Sequence, residues 1–222
     1  MAPHIDPVRS VITVGSGRGF VVMTRHHRRL IVTAAHCLPF LPPCNPAYGT
    51  EERTYRDLIG PLDKTPSVSA ECLFADPIAD VAVLDEPDSQ DLPKEHDAYE
   101  ALIGITHALR MSDPKENAAW LLSLDHRWLR CNVEYYHSAV WVIRNAAQPG
   151  IQWGMSGSPI FNYARTAAIG IVCVGFHGVF PNDTRATEGG PNPRLPMNLP
   201  AWMAPRAAPT TAPVWSADPV PR

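Results

Sequence analysis

An all-β fold in two halves, followed by an extended proline-rich tail, is the architecture this sequence predicts, and three observations predict it. Its apolar runs are short, rich in Val, Ile and aromatic residues, and separated by Gly, Pro or charged residues. Proline occurs 24 times in 222 residues, about twice the usual share of about 5%. Each proline ring removes a backbone donor, which works against long helices. Hydrophobic residues make up 45% of the chain and charged residues 18%, the balance of a protein that folds around a core. Many short strands at near-regular spacing point to a barrel or a sandwich.

Taken in order, strands are expected over residues 10–14, 19–24 and 30–34. Gly15, Gly17 and Gly19 in GSGRGF look like a phosphate loop, but the following VVMTRHHRRLIVT reads as strand and turn, not the helix such a loop requires, so a flexible hairpin is expected. Residues 39–66 are polar and Pro-rich and read as a surface excursion. Strands resume at 68–74 and 81–84, and the polar stretch 85–97 offers a boundary between the halves. The second half repeats the strand idiom in AAWLLSL, NVEYY, AVWVIR, SPIFNY and AAIGIVCVGF. From residue 191 to 222 the chain holds nine prolines, a density unsuited to a packed sheet. The expected divisions are therefore 1–95, 96–188 and a tail over 189–222, with Trp202 and Trp215 as residues that could pin the tail to the body.

A formal charge of −3 gives no broad footprint for nucleic acid or anionic lipid, so neither is expected as a partner. No apolar stretch reaches the roughly 18 residues of a membrane span, and MAPHIDPVRS lacks the basic and apolar regions of a leader. A soluble, cytoplasmic protein is the expectation. The cysteines at 37, 44, 72, 131 and 173 are odd in number and irregularly spaced, which predicts free thiols, with Cys37, Cys131 and Cys173 acting as small buried hydrophobes. His26, His27, His107, His126 and His137 show no metal-ligand spacing, and no metal or cofactor is expected.

Three local patterns carry chemistry. In Thr33-Ala34-Ala35-His36-Cys37 a β-branched strand ends in small residues and delivers a histidine at its edge. In the run from Asp76 to Leu84, DPIADVAVL, Asp80 stands directly before an apolar strand that would bury its carboxylate unless a partner accepted it. In Gly154-Met155-Ser156-Gly157-Ser158-Pro159 small residues let backbone N–H groups converge beside a hydroxyl, the arrangement a developing oxyanion needs.

Together these motifs resemble the trypsin-like, chymotrypsin-fold serine proteases. TAAHC is similar to the family's histidine motif, ADVAVL to its aspartate motif and GMSGSP to its serine motif, in the family's order and separated by 44 and 76 residues. The resemblance covers roughly residues 10–185. DPIADVAVL and the lack of disulfides look most like the bacterial HtrA-like branch, and the serine motif looks like the glutamyl endopeptidases. The resemblance implies two six-stranded antiparallel barrels, the first carrying His36 and Asp80, the second Ser156, with a protein or peptide substrate in the cleft between them. Ser156 would be the nucleophile, His36 the base and then the acid, Asp80 the carboxylate that orients the imidazole, and the amides of Gly154 and Ser156 the oxyanion hole.

By the same resemblance Gly150 and Ile151 form the floor of the specificity pocket, Cys173, Val174 and Gly175 the edge that pairs with substrate, and His177 its rim. No carboxylate waits at the floor for Lys or Arg, and Val172 stands where glutamyl endopeptidases have histidine. A neutral, apolar residue ahead of the scissile bond is expected. Cys173 replaces the serine that often supports the aspartate. The residue before the nucleophile is Met155, where secreted digestive members have an aspartate, so activation by a newly cut N-terminus is not expected. Cys37 keeps the family's cysteine, but Gly19-Phe20-Val21-Val22 offers it no disulfide partner. A catalytically silent module that binds peptides or a partner is the rival reading. A third keeps the chemistry and restricts it, with the protease activated by, or directed to, one dedicated protein, a pattern that fits a regulatory or host-defence protease in a bacterium.

Overall fold

The computed structural model describes residues 6–43, 49–113, 116–143, 150–173 and 188–203. Six strands close the first barrel: β1 (Val11–Val14), β2 (Gly17–Met23), β3 (Arg29–Thr33), β4 (Thr54–Pro61), β5 (Val68–Asp76) and β6 (Val81–Asp85), in the order β1-β2-β3-β6-β5-β4. Every pairing is antiparallel. Val14, Phe20, Leu30, Ile31, Ile59 and Leu84 are fully buried in its core. The β1–β2 hairpin forms at the glycine-rich segment as expected, with Val14 opposite Gly17 and Gly15 at φ +53°. It is packed against neighbours, because a Cβ on Gly15 would lie 2.2 Å from the carbonyl oxygen of Cys37.

β4 corrects the reading of 39–66 as a surface excursion. Tyr55, Leu58 and Ile59 are buried, and the strand closes the barrel by pairing with both β1 and β5. A register shift between Tyr55 and Ile59, with Asp57 at φ +50°, breaks the alternation that would mark a strand in the sequence. The polar boundary between the halves contains a helix, α2 (Pro93–Ile105), which follows the four-residue α1 (Thr50–Arg53) in chain order. Pro93 suits its first turn, where no backbone donor is needed. Tyr99, Leu102 and Ile103 are its buried face, and the Arg29 guanidinium caps its end by donating to the carbonyls of Ile103 at 2.7 Å and Thr106 at 2.6 Å.

The second half is a seven-stranded sheet of β7 (Arg110–Met111), β8 (Ala118–Leu122), β9 (Trp128–Tyr136), β10 (Ala139–Ile143), β11 (Pro159–Asn162), β12 (Ala167–Ile171) and β13 (Glu188–Pro193), in the order β13-β10-β9-β8-β11-β12-β7. Only β7 with β12 is parallel. A bridge from Gly170 to Arg194 brings the chain beyond β13 back to β12 and curls the sheet on itself. Its separate core includes Leu121, Val140, Met155, Ile160 and Ile169. The all-β class expected from the sequence is the observed one, a closed six-stranded antiparallel barrel and a second sheet consistent with a two-barrel fold; among the described residues that second sheet has seven strands and one parallel pair, not the expected six antiparallel ones.

The start of the proline-rich segment is integrated into the fold, which corrects its reading as tail. Pro191 and Pro193 lie in β13, which among the described residues pairs only with β10, and an edge strand tolerates residues without a ladder donor. Beyond it, α3 (Leu195–Asn198) and the turn after it bury Leu195, Leu199 and Met203 against the first core. Trp202 is 39% exposed, and Trp215 lies outside the described residues. Cys37, Cys72 and Cys173 are free and buried, as expected, Cys131 is buried too, and Cys44 lies outside the described residues. Among the described residues no helix is long and apolar enough to cross a membrane.

Candidate active site

β3 ends at Thr33, and Ala34 and Ala35 lead into a single 3₁₀ turn, Ala35–Cys37, closed by the Cys37 amide on the Ala34 carbonyl at 3.0 Å. That turn presents His36, whose side chain is 46% exposed. The loop before β6 is organised by Asp76, whose carboxylate accepts from the amides of Ile78 at 2.9 Å and Ala79 at 3.0 Å. It ends on Asp80 at φ +56°, a left-handed conformation that Asp adopts more readily than most residues. Both oxygens of Asp80 go to one residue. Oδ1 accepts from the His36 backbone amide at 2.9 Å and Oδ2 from His36 Nδ1 at 2.7 Å. This fixes the ring orientation and leaves Nε2 as the free nitrogen. The hydrogen bond to Asp80 pushes the imidazole above its ordinary value, partly opposed by burial and assisted by the carboxylate charge.

Cys173 donates its thiol to the main-chain carbonyl of Asp80 at 3.1 Å, and its amide donates to the Asn192 side chain at 2.8 Å. Burial pushes the thiol far up, so it stays protonated. The residue expected at the substrate edge thus supports the aspartate segment. Val174, Gly175 and His177 lie outside the described residues.

Ser156 sits in a loop of two successive turns. The Met155 amide donates to the Gln152 carbonyl and the Ser158 amide to the Met155 carbonyl, both at 3.0 Å. Gly154 at φ +91° and Gly157 at φ +80° occupy the third positions, the type II pattern that calls for glycine there. Met155 is fully buried among apolar neighbours, and its sulfur accepts from the Gln152 amide at 3.4 Å. The loop is therefore anchored by an apolar side chain, with no charge to neutralise. Ile151 is buried in the same core and Gly150 is half-buried.

One hydrogen bond ties this loop to the first half and two tie it to the second. The Arg18 amide donates to the Ser156 carbonyl at 2.7 Å, the Gly157 amide to Val172 at 2.7 Å, and the Val172 amide to Ser158 at 2.9 Å. A Cβ placed on Gly17 would meet the Ser156 carbonyl oxygen at 2.6 Å and Cys37 Sγ at 2.7 Å. The segments bearing Ser156 and His36 therefore meet over Gly17. Among the described residues, neither the Ser156 hydroxyl nor the amides of Gly154 and Ser156 has a hydrogen-bond partner, so all three are available to a bound group.

Beside His36 and Asp80 lies an apolar cup of about 230 Å³, walled by Leu38, Phe40, Leu41 and Pro77. Phe40 is 60% and Leu41 49% exposed. Across the serine loop Trp153 is almost wholly exposed. Neither the cup nor the role of Gly17 and Arg18 was anticipated from sequence. The only signal was the LPFLPP run after the histidine motif, apolar residues within a segment that reads as polar. Among the described residues no group of three His, Cys, Asp or Glu side chains could hold a metal ion.

No family model matches the chain, and no curated protein matches it. Among solved structures it is similar to the serine protease of a human pathogenic astrovirus, at 17% identity and a TM-score of 0.47 over 89% of this chain and 96% of that one. It is also similar to the Rv3671c protease in its inactive form, at 16% identity and a TM-score of 0.46 over 76% and 79% respectively.

Proposed function

We propose that the protein is a serine endopeptidase that cleaves peptide bonds through an acyl-enzyme. The observation that carries this reading is the two-point grip of Asp80 on His36, which supports an oriented base on the same junction as Ser156 and the amides that have no partner among the described residues. In this reading Ser156 Oγ attacks the substrate carbonyl while His36 Nε2 takes its proton, and Asp80 stabilises the resulting imidazolium. The amides of Gly154 and Ser156 receive the negative oxygen. The intermediate then breaks the C–N bond, the departing amine takes the proton from His36, and water repeats the cycle on the ester to release the acid and restore Ser156.

The apolar cup beside His36 and the exposed indole of Trp153 support a substrate with apolar side chains flanking the scissile bond. The charged groups of the cup, His36 and Asp80, are paired with each other, so a charged side chain there would lose hydration against Leu38, Phe40, Leu41 and Pro77 without a counter-charge of its own. The free, buried thiols fit a reducing compartment, so a cytoplasmic setting in a bacterium stays part of the proposal. The test is labelling with a fluorophosphonate probe followed by profiling of cleaved peptides. Labelling at Ser156 that is lost in Ser156→Ala, with cleavage next to apolar residues, is the expected result. A well-folded wild type that neither labels nor cleaves would sink the reading and leave a binding module.

A further inference from the structure

We propose that Arg18 is a positioning residue that holds the oxyanion loop in register with the half of the molecule carrying His36 and Asp80. The inference rests on the acyl-transfer reading above. Arg18 belongs to β2 of the first barrel, and its main chain touches the serine loop twice. Its amide donates to the Ser156 carbonyl at 2.7 Å. Its own carbonyl, which accepts from Thr33 Oγ1 at 2.7 Å, lies so close to Gly157 that a Cβ there would come within 1.7 Å.

The side chain then crosses into the other half. It is 3% exposed, and Nη1 donates to the carbonyls of Leu122 and Ser123, each at 3.1 Å. Nη2 reaches the Leu124 carbonyl at 3.5 Å and Asp63 Oδ1 at 3.4 Å. Leu124 is the residue whose methyl groups face Gly154, one of them 3.6 Å from where a Cβ on that glycine would stand. One residue therefore grips the loop at Ser156 through its backbone and the wall behind Gly154 through its guanidinium. Asp63, in the β4–β5 turn, completes the clamp because it also pairs with His126 of the β8–β9 turn.

A buried guanidinium is costly unless its donors are used, and burial does lower its basicity here while Asp63 works the other way. The planar fork meets several carbonyls at once, which the single point charge of lysine cannot do. A purely structural role would alter stability alone. A positioning role alters the geometry of bond making while substrate binding persists, and a displacement of about 1 Å at a reacting centre can cost about 100-fold in rate.

The experiment compares wild type with Arg18→Lys, Arg18→Met and Asp63→Asn. It measures thermal melting, the downfield proton resonance of the His36–Asp80 hydrogen bond, the rate of fluorophosphonate inactivation, and kcat and KM on a peptide chosen by profiling. The resonance reports the first barrel only, since both partners lie there. Expected for Arg18→Met is a retained resonance with kcat and probe rate down about 10- to 100-fold and KM within about twofold, with Arg18→Lys recovering only part of the loss. Asp63 is half exposed, so Asp63→Asn folds and tests the clamp even if the Arg18 variants do not; a few-fold loss confined to kcat and probe rate is expected. Wild-type rates in a folded Arg18→Lys, or in Asp63→Asn if Arg18 cannot be replaced, overturn the inference alone, as does a change in KM without one in kcat. An unreactive wild type overturns the acyl-transfer reading and the inference with it.

Discussion

Replacing Gly154 by alanine separates the chemistry of the serine loop from its stability. Space is available, since the added methyl would meet only Leu124, at 3.6 and 3.9 Å. The obstacle is the backbone, held at φ +91°. An L side chain in such a region costs about 1–3 kcal/mol. The turn can escape that cost by rotating the Trp153–Gly154 peptide into a type I form, which preserves the Met155-to-Gln152 hydrogen bond but turns the residue 154 amide away. Losing one such donor costs about 2.7–4 kcal/mol of transition-state stabilisation. The reaction follows the cheaper course, which is to restore the strained turn, so the barrier rises by about 1–3 kcal/mol and the rate falls about 5- to 150-fold. Because the resting loop relaxes, melting should shift by no more than about 2–4 °C, the equivalent of about 1 kcal/mol at this size.

Gly157→Ala is the internal control. Its methyl would fall 1.7 Å from the Arg18 carbonyl oxygen and 2.6 Å from Thr33 Oγ1, neither of which is the end of a flexible side chain, so the loop has to separate from β2 and stability falls. Second-order inactivation by a fluorophosphonate probe and thermal melting measure both effects without a known substrate. Unchanged inactivation of Gly154→Ala, or a melting loss as large as that of Gly157→Ala, would refute the reasoning.

Asp80→Asn should fold and lose about four orders of magnitude in turnover, because the amide favours the wrong imidazole tautomer. Its pH profile adds a sign. The proposed mechanism requires the base form of His36, and Asp80 raises its pKa above the ordinary 6.5, so wild-type activity should fall off on the acid side above that value, and the limb should move to lower pH in the variant. The same pairing stabilises the fold at low pH and fades as pH rises through the raised value, opposite to activity. Asp85 is pushed up to about 6 by burial, against the pull of Arg28. The native state then holds a proton that the unfolded chain has released, and this contribution to stability is lost as pH rises from about 4 through about 6. The melting temperature of Asp85→Asn relative to wild type should climb over that interval, and a flat difference would count against the assignment. Met155→Asp, which sets a carboxylate among apolar neighbours, should melt far below wild type while Met155→Leu stays near it; equal melting of the two would show that an ionised group is accommodated.

Elements that answer to their immediate neighbours in the chain were legible from sequence. Short β-branched runs between turn residues became strands, the glycine-rich segment became the β1–β2 hairpin, and Thr33 to His36 became a strand end delivering a histidine. The serine loop belongs to this group as well, since each of its turns spans four residues and takes glycine at its third position for φ, although Gly157 is required also by its close approach to the distant Arg18 carbonyl. Tertiary structure decided whatever depends on distant partners. β4 is a strand because β1 and β5 stand ready to pair with it, not because its residues alternate. Pro191 and Pro193 enter a sheet because the topology makes β13 an edge, a fact about strand order that composition does not contain. α2 buries only Tyr99, Leu102 and Ile103 of its 13 residues, too sparse a stripe to stand out from a polar linker. Arg18 reads as one cation in a hairpin, yet the carbonyls its Nη1 holds lie 104 and 105 residues along the chain. Local sequence sets backbone conformation over a few residues, whereas the value of a buried guanidinium is set by acceptors that only the packed halves bring within reach.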